Sequence, residues 1–299
     1  MQWPYHESLF DDSLEVHGVD WIIVFAYFDE TGTHDSAPDT VVAGYLFSKD
    51  GAKRFRQTFM ETIYPLLPPD KYGRRIYHST KCIGGYEPYD TLSIDDREHI
   101  VDLMVDAIKN SVALGCVVGM EKQEYAKALA NSPILRQLAG SEYTVCLHRC
   151  IENMAAWVNE KEIQGRIQYV FEAGCKHQQE ANDIFARISK SEELKKRYRW
   201  HSFSFVEKGL DVPQLGVPDL LAWEWQRARV NSLNRKRGEW RLTLKKLVHG
   251  PPKTPHLLEY ESETAVGIRA LVNAFYGITS ATQPIEISNP FFYLKDFPN

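Results

Sequence analysis

Two kinds of apolar pattern alternate along this chain. Short runs rich in β-branched and aromatic residues recur, and between them lie stretches whose apolar residues fall three and four apart. Trp21 to Phe28 (WIIVFAYF) and Val41 to Phe47 (VVAGYLF) are runs of the first kind, and each reads as a buried strand. Gly32, Pro38 and Asp39 between them suit a hairpin or a slightly longer connection. Ala52 to Leu67 puts Phe55, Phe59, Ile63 and Leu66 on one helical face and is stopped by Pro68-Pro69. Arg75 to Thr80 reads as a short strand or a loop. Ser93 to Asn110 is a helix with Ser93 as its N-cap and Asp95 and Asp96 in the first turn, where the helix dipole favours negative charge.

The pattern continues with a strand at Val112 to Met120, a long helix from Gly140 to Asn159 and a strand at Arg166 to Gly174. A helix at Asn182 to Lys195 follows, then an alternating strand at His201 to Val206 with one wetter face. A helix at Asp219 to Asn231 has Pro218 suited to its start. Strands separated by long helical crossovers imply a partly parallel sheet with helices on both faces, and the opening hairpin makes that sheet mixed. The expected class is therefore α/β. Residues 1–20 read as an arm, 21–231 as one domain, and 232–299 as a basic segment and C-terminal extension packed on it, with one helical piece near Glu263 to Tyr276. No internal repeat or low-complexity segment interrupts this order.

Composition narrows the setting. Hydrophobic residues are 43% of the 299 and charged residues 25%, which suits an ordinary globular chain with its own core. No apolar run approaches the roughly 20 residues of a membrane helix, and the start lacks the pattern of a signal peptide. Five scattered cysteines argue against a disulfide framework, so a cytoplasmic setting is expected. The net charge of -5 speaks against polyanion binding by the whole surface but leaves room for a local basic track. Basic residues do cluster, first at Lys195, Lys196, Arg197 and Arg199, then at Arg235, Lys236, Arg237, Arg241, Lys245 and Lys246. A solvated helix face is the competing reading of both clusters.

Three acidic positions share a pattern. Asp29 ends the first apolar strand, Glu172 ends a later one, and Asp219 opens a helix after the last strand and a VPQLG turn. Ligands of open α/β sheets gather at the carboxyl ends of the strands. Two carboxylates ending adjacent parallel strands, with a third on a neighbouring helix, converge there, and like charges at that range need a cation. An all-oxygen set suits Mg²⁺ or Mn²⁺. The competing reading is that acidic residues at strand ends and helix starts serve as caps and turns.

At these positions the sequence resembles a known family. YFDETGT (Tyr27 to Thr33) is similar to the opening motif of the DUF3800 proteins. IYHSTK (Ile76 to Lys81) resembles their midway histidine segment, VFEAG (Val170 to Gly174) their second carboxylate strand, and VPDLLAWEWQR (Val217 to Arg227) their late helix. The resemblance runs from about Val24 to Arg229. It implies an RNase H-like mixed β-sheet flanked by helices, with C-terminal additions, and a metal-dependent nuclease. It makes Asp29, Glu172 and Asp219 the metal ligands, Glu30 a second acidic site residue and His78 the site histidine. The sequence departs from the family in having Glu172 where Asp is common, and Gly216-Val217-Pro218 before Asp219.

The remaining candidates are weighed residue by residue. Strand alternation puts Asp29 and Glu30 on opposite faces, so they share a site only if the chain bends near Gly32. Lys122 could reach a phosphate from the same sheet edge, with a solvated lysine as the alternative. Cys146 and Cys150 share a helix face and read as core, because His148 points away from it and no second pair sits at zinc spacing. Glu224 falls on roughly the opposite side of its helix from Asp219, and Trp223 and Trp225 read as packing residues. A nuclease needs cations to offset phosphate repulsion, and Arg227 and Arg229, leading into Arg235, Lys236 and Arg237, would lay a nucleic-acid-binding track. The functional expectation is two-metal hydrolysis of nucleic-acid phosphodiesters. The alternatives are a catalytically inactive binding module of the same fold, or a phosphatase or nucleotide hydrolase using the same cluster.

Overall fold

The computed structural model describes residues 23–130, 137–233, 241–248 and 256–261. Strand β1 (Ile23–Thr31) and antiparallel β2 (Asp39–Ser48) form the expected hairpin. Helix α1 (Lys49–Thr58) is shorter than its apolar pattern suggests. The chain continues as a wider π-type turn (Phe59–Ile63) and a 3-10 turn (Tyr64–Leu66) that contains Pro65. Pro65 lacks the amide that an α-helix would need there, yet Phe55, Phe59 and Ile63 stay buried in one row. The Arg75 to Thr80 segment is loop running into a short helix, α2 (Ser79–Gly84). Helix α3 (Ile94–Ser111) is capped as expected, the Ser93 Oγ accepting from the Asp96 amide at 3.1 Å.

Strand β3 (Leu114–Glu121) is followed by α4 (Lys122–Leu129) and the long α5 (Glu142–Glu160), capped by Ser141. Then come β4 (Arg166–Glu172), α6 (Gln178–Ser189), α7 (Glu192–Arg197) and β5 (Trp200–Val206). The single helix expected at 182–195 is thus two, divided before Ser191, which caps the second. A 3-10 turn at Pro213–Leu215 leads into α8 (Gly216–Leu233). Two elements that the apolar pattern did not single out, α9 (Leu242–Val248) and β6 (His256–Glu261), complete the described chain. The N-terminal arm and the helical piece expected near Glu263 to Tyr276 lie outside the described residues.

The sheet order is β5-β4-β1-β2-β3-β6. β1 is parallel to β4, β4 to β5 and β3 to β6, while β2 runs antiparallel to both its neighbours. This is the expected α/β class, a mixed sheet flanked by helices, with β6 added at the β3 edge. Strand alternation explains why β1 reads as a continuous apolar run. Val24, Ala26 and Phe28 face a core with Tyr143, Met154, Tyr169 and Phe185. Phe25 and Tyr27 face the opposite core with Phe55, Met104, Leu220 and Trp225. Both faces are covered, so neither register position tolerates a charge until the strand ends.

Helix α8 packs on β1 and β2 and is tied there by polar contacts. Thr31 Oγ1 donates to Gln226 Oε1 at 3.1 Å, and Gln226 Nε2 donates to the Asp39 carbonyl at 3.4 Å. Gly32 sits in this joint with φ of +74°, and a Cβ there would stand 2.0 Å from the Asp39 oxygen. Replacing it with alanine adds both backbone strain and a clash with main chain. Gly32→Ala is therefore expected to destabilise the fold by about 1–3 kcal/mol in urea unfolding.

Among the described residues no helix is long and apolar enough to cross a membrane. The cysteines Cys146 and Cys150 are buried core residues, as their spacing suggested. His148, on the same helix, is also buried and is paired through Nε2 with the Tyr198 hydroxyl at 2.7 Å.

Candidate metal centre

The register of the parallel pair β1/β4 sets the first two carboxylates side by side. Phe28↔Phe171 is the last β1/β4 pair, so the next residues, Asp29 and Glu172, stand side by side just past it at the carboxyl ends of the two strands. Asp29 follows the side-chain parity of Phe25 and Tyr27, and Glu172 that of Val170, so both face the α8 side. Asp219 arrives from the first turn of α8. The three side chains meet on one point, and that point is an ammonium that sequence reasoning had not identified. Lys208 Nζ lies 2.8 Å from Asp29 Oδ2, 3.1 Å from Glu172 Oε2 and 3.5 Å from Asp219 Oδ2. Oxygens that all lie within 3.5 Å of one nitrogen are at most twice that distance from each other. Lys208 belongs to the connection after β5, two residues beyond Val206, which pairs with Glu172.

The centre is poorly solvated. The Lys208 side chain is 6% exposed and that of Asp29 12%. Burial raises the Asp29 carboxyl to about 6; Lys208 opposes the rise, and Asp219 and Glu172 add to it. Burial alone would lower the Lys208 ammonium, but Asp219, Asp29 and Glu172 outweigh it and hold that group well above its ordinary range. Asp219 is steadied further by the Ser79 amide, which donates to its Oδ2 at 3.0 Å. That amide belongs to α2, next to His78, whose Nδ1 is 3.8 Å from the same oxygen. Burial, with Lys208 adding to it, lowers the His78 imidazole, so it is neutral at neutral pH.

Glu30 does not join this group. The strand stays paired through Thr31↔Val41, so the chain does not bend, and Glu30 keeps the opposite face. It contributes its amide, which donates to Asp29 Oδ1 at 2.8 Å. Its own carboxyl is raised to about 8 by burial, then by the charges of Asp29 and Glu172, and is uncharged at neutral pH.

The basic candidates are dispersed. Lys122 Nζ donates to the His34 carbonyl at 2.6 Å. Lys176 likewise donates to the Thr33 carbonyl at 2.6 Å, so the two lysines hold the hairpin loop beside Asp29. Arg227 lies eight residues beyond Asp219 on α8, about 12 Å along the axis, and stacks over Trp223. Arg241 stacks on the same indole, and its Nη1 lies 3.7 Å from the buried Glu224. Arg229 is committed to the core, its Nε 2.9 Å from Oδ2 of the fully buried Asp39. Arg235, Lys236 and Arg237 lie outside the described residues. The cluster at 195–199 precedes β5, whereas the carboxylates sit past its end, about 20 Å away by the length of the strand. Its members pair locally, Lys195 with Glu192 and Arg197 with Glu152, so they do not flank the centre.

The donor set suits a hard divalent ion. It is all carboxylate oxygen, drawn from three elements, and it already converges on a cation. Among the described residues no group of three or more His, Cys, Asp or Glu is gathered as a metal site, and the three carboxylates face Lys208.

No protein-family model matches the chain, and no curated protein matches it. Solved structures to which it is similar include ribonucleases H. Bst-RNase HIII, solved as a mutant protein and in complex with Mn²⁺, is 12% identical over 74% of this chain and 56% of that one, with a TM-score of 0.41. The alignment thus spans little more than half of that protein. RNase HII of Archaeoglobus fulgidus, solved in a complex with PCNA, is 14% identical over 72% of this chain and 77% of that one, with a TM-score of 0.38. Ribonuclease H2 from Pyrococcus horikoshii OT3 is 12% identical over 78% and 82%, with a TM-score of 0.35.

Proposed function

We propose that this chain is a metal-dependent nuclease that hydrolyses nucleic-acid phosphodiester bonds, with Mg²⁺ or Mn²⁺ held by Asp29, Glu172 and Asp219. The observation that carries the reading is the convergence of these three carboxylates on a single cation at the carboxyl edge of adjacent parallel strands. Three like charges in a half-buried site exceed the one positive charge of Lys208, and a divalent ion would offset them more fully. Metal bound there supplies a more acidic attacking water and positive charge for the leaving oxygen, the two tasks of a two-metal site.

The chain's own groups have separate tasks in this reading. Asp29 is held rigidly because its strand is packed on both faces, and its Oδ1 is fixed by the Glu30 amide. Asp219 is oriented by the Ser79 amide. The neutral His78 imidazole, beside Asp219, accepts a proton from the attacking water or donates a hydrogen bond to a phosphate oxygen. Lys122 and Lys176 steady the hairpin loop at the rim, and Arg227 is the described guanidinium on α8 left for a phosphate. The partner class is therefore nucleic acid.

Purified protein incubated with single- and double-stranded DNA and RNA is expected to cleave at least one of them in Mg²⁺ or Mn²⁺, and none in EDTA. Intact substrates under all conditions, together with no Mn²⁺ binding by calorimetry, would overturn the reading.

A further inference from the structure

The residue at the centre of the carboxylates is itself a cation, and it takes the oxygens that a metal would take. Lys208 Nζ is within 3.5 Å of one oxygen from each of Asp29, Glu172 and Asp219, which come from β1, β4 and α8. Lysine is among the residues least often buried, and this side chain is 6% exposed. Its burial is sustained by the three carboxylates, and their close approach to one another is sustained by it. A bound Mg²⁺ sits at about 2.1 Å from its oxygens and demands near-octahedral order. An ion bonded to these same oxygens and the Lys208 ammonium cannot both occupy the centre.

The surroundings allow the side chain to leave. Residues 207–212 form a connection with neither helix nor strand, and Glu207 and Asp211 within it are exposed. The neighbouring Gly209 faces open space. A lysine stem carries its charge on four flexible carbons, so the ammonium can reach water without moving the strand before it.

We propose that Lys208 is a tethered competitor for the metal: in the free protein its ammonium closes the three-carboxylate centre, and a divalent ion enters as Lys208 swings out. This rests on the metal reading above and adds a gate to it. The free protein then holds a charge-compensated, rigid centre at low metal concentration, and metal loading includes the release of one buried lysine.

The test uses the full chain and Mn²⁺ as the probe, with two readouts other than activity. In calorimetry Lys208→Met is expected to bind Mn²⁺ at least tenfold more tightly than the wild type, because no competitor has to be displaced. In amine labelling followed by mass spectrometry, wild-type Lys208 is expected to be protected in EDTA and modified under saturating Mn²⁺, while Lys195 keeps its reactivity. Equal or weaker Mn²⁺ binding by Lys208→Met, or a Lys208 that stays protected with Mn²⁺ bound, overturns the competitor and leaves the metal site standing. Absence of Mn²⁺ binding in both proteins removes the metal reading as well. If Lys208→Met does not fold, the labelling of the wild type decides alone.

Discussion

Asp29→Asn is expected to yield a folded protein whose nuclease turnover in Mn²⁺ falls roughly 10³-fold, the equivalent of several kcal/mol of lost charge stabilisation at the reacting centre. The substitution is chosen because it isolates charge. Asparagine keeps the shape of the side chain, and its carbonyl oxygen can still accept from the Glu30 amide, as Asp29 Oδ1 does at 2.8 Å. What disappears is the negative oxygen that faces Lys208. The fold loses little by this, because burial already disfavours the ionised form of Asp29 and Lys208 keeps Glu172 and Asp219 as partners. Circular dichroism and the thermal midpoint therefore serve as controls that should change little. Glu30→Gln is the contrast. Glu30 occupies the other face of β1 and is uncharged at neutral pH, so its substitution is expected to reduce turnover far less. Wild-type turnover in Asp29→Asn would remove Asp29 from the reaction and the proposed centre with it.

The contrast between these neighbours shows which parts of the site were legible in sequence. Asp29, Glu172 and Asp219 could be found because each interrupts or follows a strong apolar pattern, and an acidic residue at the end of a strand packed on both faces stands out. The pairing of β1 with β4 could be inferred from the long helical crossovers between strands, and that pairing puts Asp29 beside Glu172. The face of Glu30 depended on whether the strand bends, which is decided by the pairing of Thr31 with Val41 and not by any local signal. Lys208 left no pattern. It lies in an irregular connection, where a lone lysine is ordinarily solvated, and its importance comes entirely from what β5 and α8 place around it. The basic residues show the opposite case. They were conspicuous in sequence, yet Lys195 and Arg197 lie at the far end of β5 and Arg229 is paired with the buried Asp39. Charge clustering records that residues are polar, while direction and partner come from tertiary packing.

Arg229 carries the second large expected effect, on stability. Asp39 opens β2 and is completely buried; its Oδ2 receives the Arg229 Nε at 2.9 Å, and its Oδ1 has no hydrogen-bond partner among the described residues. Arg229→Met keeps much of the apolar stem but leaves a buried carboxylate without its counter-charge. Breaking a buried pair in this way costs about 3–5 kcal/mol, because the desolvation of the remaining ion is no longer offset. Urea unfolding of Arg229→Met is expected to show a loss of that size, and Asp39→Asn added to it should recover a substantial part by removing the orphaned charge. Activity should fall together with stability, since the pair fixes α8 against β2 and so sets where Asp219 meets Asp29 at the far end of that helix. If Arg229 instead served as a phosphate contact, Arg229→Met would weaken nucleic-acid binding, lower its salt dependence and leave the unfolding midpoint unchanged. The two outcomes separate a residue that holds the scaffold of the centre from one that touches the strand, and the geometry of the Asp39 pair predicts the first.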